Sequence, residues 1–92
     1  MVITMKKAVI TVIGKDTVGI IAKVSNLLFE NNINILDISQ TIMQDLFTMI
    51  MLVDMKDYQV GDLQEKLDVI AGEMSLSIHV QNEEIFNSMH RI

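Results

Sequence analysis

The hydrophobic period of this chain changes in the order strand, helix, strand, strand, helix, strand, and it does so within 92 residues. A chain of that length supports one core, so all of these elements must share it. In residues 6–14, KKAVITVIG, the run Val9-Ile10-Thr11-Val12-Ile13 is β-branched throughout. That pattern suits a central strand covered on both faces. From Val18 to Asn31, the apolar residues Ile20, Ile21, Val24, Leu27 and Leu28 recur at helical spacing, with Asp16 placed to cap the start and Asn31-Asn32 to end the helix. Residues 32–43 read as a second strand whose alternation changes phase near Asp37, as a bulge on an edge strand produces. The polar pair Gln44-Asp45 then turns the chain into a third strand, LFTMIMLVDM, apolar on both parities.

A loop over 57–61 leads to the second helix. Asp62 and Glu65 resemble a capping box, and Leu63, Leu67, Ile70 and Met74 step along one face. LSIHV alternates strictly, as an edge strand with one wet face does. Asn82 with two acids then predicts a short amphipathic helix over 83–92 carrying Ile85, Phe86, Met89 and Ile92. The order predicts an α+β, ferredoxin-like βαββαβ sandwich, with an antiparallel sheet, two helices on one face and a short C-terminal helix. Residues 1–82 form the domain and 83–92 its helical extension. The first and third strands occupy the middle of the sheet, and the uncovered face is expected to carry Val9, Ile13, Met49 and Met51, an apolar patch that marks an interface.

Composition narrows the function. The net charge of −5 comes without a basic block, which excludes nucleic acid as a direct partner. Zero cysteines exclude thiol catalysis, thiolate metal sites and disulfides and fit a cytoplasmic location. The apolar start is too short for a secretion signal, and charged or amide side chains interrupt every candidate membrane span, so no membrane partner is expected. The eight methionines are read as adaptable packing residues, and His79, Glu83 and His90 share no metal-ligand spacing. No nucleophile-base set or paired catalytic carboxylates emerge, and no metal or cofactor is expected. The chain is read as a non-enzyme.

Fold-mates of this architecture are excluded by residues. Metal chaperones need a Cys-x-x-Cys, RNA-recognition motifs need aromatics on the central strands, and acylphosphatases need an arginine in the first loop; here the only arginine is Arg91. Gly14 to Gly19 match a phosphate loop by spacing, but Ile20 and Ile21 stand where lysine and a hydroxyl residue belong. What remains is a loop offering backbone N–H groups and a helix start, which favour an anion. Gly14 and Gly19 serve equally well as turn and packing residues. Asp16 as a helix cap is preferred over Asp16 as an ammonium acceptor.

The segment GKDTVGIIAKV resembles the ACT-domain signature at Asp16, Gly19, Ile20, Ile21 and Ala22, with Val18 where many members carry proline. Nearly the whole chain, down to IFNSMHRI, resembles the small uncharacterised single-ACT-domain proteins, related to the ACT domains of the glycine-cleavage repressor group and of formyltetrahydrofolate deformylase. The resemblance implies a homodimeric regulatory domain that binds a small amino acid or related carboxylate between the first loop of one copy and the second strand of another. The residues so implied are Gly14, Lys15, Asp16, Gly19 and Ile20 in the loop, with Asn34 and Ile35 in the strand. With no effector domain attached, output passes through a separate protein partner. The alternative is a constitutive dimeric interaction module without ligand binding; a hydrolase on the acylphosphatase plan is the weaker third reading.

Overall fold

The computed structural model describes residues 6–84. The elements are β1 (Lys7–Lys15), α1 (Ile20–Glu30), β2 (Asn34–Met43), β3 (Leu46–Asp54), α2 (Val60–Met74) and β4 (Leu76–Asn82). The strands form one antiparallel sheet in the order β2-β3-β1-β4, so β1 and β3 are central, as the sequence predicts. The fold is the ferredoxin-like sandwich. Of the helical extension expected over 83–92, residues 85–92 lie outside the described residues. Asn82 Oδ1 does accept the Glu84 backbone N–H at 2.8 Å, the contact expected of a capping asparagine.

One buried cluster joins the layers. Ala8, Ile10 and Val12 of β1 and Phe47, Met49, Met51 and Val53 of β3 face Ile20, Val24 and Leu28 of α1 and Leu63, Leu67 and Ile70 of α2. Met49 and Met51 are therefore core residues, fully buried, and not part of the uncovered face as the sequence suggested. The register explains the correction: Met49 lies opposite Val12 and Met51 opposite Ile10, so both share the helix-covered face. The open face instead carries Ile13, Ile50 and Leu46 among Thr11, Thr48 and His79. Val9 lies on that side too, yet it is only 6% exposed.

Neither helix starts as expected. The cap of α1 is Gly19 in the left-handed conformation, with no side-chain cap bond, so Asp16 does not cap it. Likewise α2 begins at Val60 after Gln59, again without a side-chain cap, so Asp62 and Glu65 form no capping box; Asp62 sits in the first turn, where it favours the helix dipole. The C-terminal end of α1 behaves as predicted. Asn31 caps it and Asn32 takes φ 61° to reverse the chain.

The edge strand β2 carries the expected bulge, a register shift between Ile35 and Asp37. Asp37 Oδ1 accepts the Ile38 backbone N–H at 2.8 Å, which holds the bulge in shape. The hairpin to β3 is two residues long, and Gln44 supplies its positive φ of 57°.

Candidate functional site: a cleft between the first loop and the edge strand

The β1–α1 loop is pinned to the hairpin turn. Asp16 donates its backbone N–H to the Asp45 carbonyl at 2.7 Å, and Thr17 Oγ1 donates to the Lys15 carbonyl at 3.1 Å. Between this loop and the helix-facing side of β2 lies an open cleft of about 270 Å³. Asp16, Thr17, Gly19, Ile20, Ile21 and Ala22 form one wall, and Gln40, Ile42 and Phe47 the other. Ile20 and Phe47 are almost completely buried and make an apolar floor, whereas Ile42 stands 55% exposed. An acid and backbone donors at the rim over an apolar floor can orient a small amphiphilic molecule.

The two glycines have separate reasons. A Cβ on Gly14 would meet Leu76 Cδ2 at 2.5 Å, with the Leu76 Cα at 3.3 Å and the Ser75 carbonyl at 3.4 Å, so Gly14 is the close approach between β1 and the α2–β4 junction. Gly19 meets nothing within 4 Å; its φ of +95° is what demands glycine. A side chain there strains the backbone without crowding the loop.

Of the residues singled out in the sequence, Asp16, Gly19 and Ile20 line the cleft. Gly14 and Lys15 border a neighbouring hollow with Met43, Gln44, Asp45 and Leu46. Asn34 and Ile35 sit at the far end of β2, opposite Asp54 and Val53. At about 3.3 Å per residue, Asn34 lies roughly 25 Å along the strand from Ile42. The same chain therefore does not bring Asn34 and Ile35 to its own loop. Sequence reasoning missed Gln40, Ile42 and Phe47, because the hairpin register is what delivers them; the shared parity of Ile38 and Ile42 was the available signal.

Another hollow lies at the opposite end, around Asn31, Asn32, Met55, Lys56, Asp57 and Tyr58. Its polar atoms serve the fold. Asn31 Nδ2 donates to the Leu27 carbonyl at 2.7 Å, while Asn31 Oδ1 accepts from Lys66 Nζ at 2.8 Å and from the Tyr58 hydroxyl at 3.2 Å. That network ties the end of α1 to the loop before α2. Among the described residues, no group of acidic or histidine side chains is placed to hold a metal, and no helix is long and apolar enough to cross a membrane.

The two sheet edges differ. On β4, Gln64 of α2 acts as a neighbouring strand would: its Nε2 donates to the Ile78 carbonyl and its Oε1 accepts the Val80 N–H, both at 2.8 Å. Among the described residues no strand pairs with the outer edge of β2, beside exposed Leu36, Ile38 and Ile42.

Comparison with known proteins fits this architecture. Residues 6–81 match the family model described as ACT domain. The UPF0237 protein of Clostridium perfringens is 58% identical over 87 residues, 92% of this chain and 98% of the relative. The solved ACT domain protein from Streptococcus pneumoniae superposes with a TM-score of 0.79 at 37% identity, over 90% of this chain and 96% of that one. A putative glycine cleavage system transcriptional repressor shares the fold, with a TM-score of 0.75 at 23% identity over 84% of this chain and 45% of its own. The chain belongs to the ACT-domain family, among the small single-domain UPF0237 proteins.

Proposed function

We propose that this ACT domain is a stand-alone regulatory module that pairs with a second copy along β2, takes up a small amino acid or related carboxylate in the cleft, and thereby alters its contacts with a separate protein. The observation that carries the reading is the edge of β2, unpaired among the described residues and running directly past the cleft, while the other edge is partly occupied by Gln64 at Ile78 and Val80. An open edge is a template for a further strand. In a two-fold antiparallel pairing with its axis near Ile38, Asn34 and Ile35 of one copy would run beside Gln40 to Ile42 of the other. Each cleft would then gain Ile35 from the second copy, which shares the helix-facing side through Val53 and Ala8, whereas Asn34 falls on the open face with Asp54 and Lys7; of the two strand residues that the family resemblance implies, Ile35 is the one that joins the cleft. Asp16 would receive the ligand's ammonium group and the N–H groups around Gly19 its carboxylate.

Thermal denaturation against a panel of free amino acids tests this. A ligand at a hundred times its dissociation constant adds about 2.7 kcal/mol, which raises the midpoint of a domain this size by about 10 °C or more. A blank panel would favour the second reading, a constitutive dimeric module without ligand. That reading has its own support, because packing explains Gly14 and backbone conformation explains Gly19 without any ligand.

A further inference from the structure

We infer that the cleft selects a free amino acid with an aliphatic side chain over one with a polar or charged side chain; this rests on the cleft being an amino-acid site. The inference comes from the lining of the cleft.

The polar features gather at the loop, with Asp16 and the N-terminal turn of α1, which suits the two charged groups common to all amino acids. Deeper in, the surface is Ile20, Phe47 and Ile42, with Gln40 the one amide beside them. A charged ligand side chain placed there would lose water against Ile20 and Phe47 and gain no opposite charge. A hydroxyl would have only Gln40 to replace its hydration. An aliphatic chain loses nothing there, and each methylene removed from water tightens binding about fourfold. The selecting wall is Ile42: it is exposed in the single copy, so it is free to be covered by a ligand, and it stands on the rigid sheet and not in the loop.

The test is calorimetric titration of the full chain with glycine, alanine, serine, valine, leucine and lysine, repeated on Ile42→Ala. Leucine is expected to bind at least about tenfold more tightly than alanine. In Ile42→Ala that ratio should fall severalfold while the alanine affinity stays as it was. Weakened pairing would lower every affinity alike and leave the ratio unchanged, an outcome that removes Ile42 as the selecting wall. If glycine or serine binds as tightly as leucine, the aliphatic selectivity is overturned and the amino-acid site stands. If no amino acid binds, both fall together.

Discussion

At the scale of single residues, the loop separates two glycines that the sequence presents as one motif. Gly14 is set by tertiary contact, and Gly19 by its own φ of +95°. Nothing local in the string GKDTVG distinguishes them, because the Leu76 that crowds Gly14 arrives from 62 residues further along the chain. Their substitutions should therefore behave differently. A Cβ on Gly14 displaces the movable Cδ2 end of half-buried Leu76 and crowds the Leu76 Cα and Ser75 carbonyl at 3.3 and 3.4 Å, so Gly14→Ala is expected to cost about 1 kcal/mol, the low end of overpacking. Gly19→Ala is expected to cost about 1–2 kcal/mol through the left-handed conformation alone, and Gly19→Asn less, since asparagine tolerates that region. Urea unfolding of the three variants checks this; equal costs for Gly19→Ala and Gly19→Asn would show that space and not φ governs the position. Asp37 was the most legible of the polar residues, because a phase change in the apolar pattern marked the bulge that its carboxylate supports.

At the scale of elements, type and order were readable from periodicity, while starts and facing were not. Helix starts were sought in capping side chains, yet α1 begins at a glycine whose carbonyl accepts the Lys23 N–H at 2.9 Å, and α2 begins after Gln59. The facing of β3 was hidden because both of its parities are apolar. Only the register against β1 decides that Met49 and Met51 point to the helices. Gln64 shows the same limit. In the sequence it is one more polar residue between core leucines, but the fold lays its amide along the outer edge of β4. Each such bond is worth about 0.5–1.5 kcal/mol net, so Gln64→Ala should cost about 1–3 kcal/mol. Amide exchange at Val80 should quicken more than at Val12 in the sheet centre. Gln64→Leu, which frees the edge while keeping bulk, should also promote higher oligomers, since an unpaired edge invites another chain. Unchanged Val80 exchange would show that the clamp contributes nothing.

At the scale of the whole molecule, two uncovered apolar surfaces compete as the meeting point of copies. One is the open sheet face with Ile13, Leu46 and Ile50; the other is the β2 edge with Leu36, Ile38 and Ile42. The open face mixes its aliphatics with Thr11, Thr48, Ser77 and His79, which remain comfortable in water. The edge offers apolar side chains together with backbone groups seeking a ladder, and β4 has that need met in part by Gln64, at Ile78 and Val80. Pairing along β2 is therefore the expected assembly, and its two-fold axis near Ile38 makes that residue a sensitive probe. Lysine there would bring two like charges close to the axis, a destabilising cross-strand arrangement. A single copy should tolerate it, because Ile38 is already 42% exposed and a lysine stem can lie along the sheet. Ile50→Lys is the matched control, since Ile50 is 41% exposed on the open face. Sedimentation equilibrium should find the parent chain and Ile50→Lys at twice the 10.4 kDa chain mass, and Ile38→Lys at the single mass with native circular dichroism. The reverse result, a monomer from Ile50→Lys and a dimer from Ile38→Lys, would move the interface to the open face and leave each cleft without the second copy's Ile35.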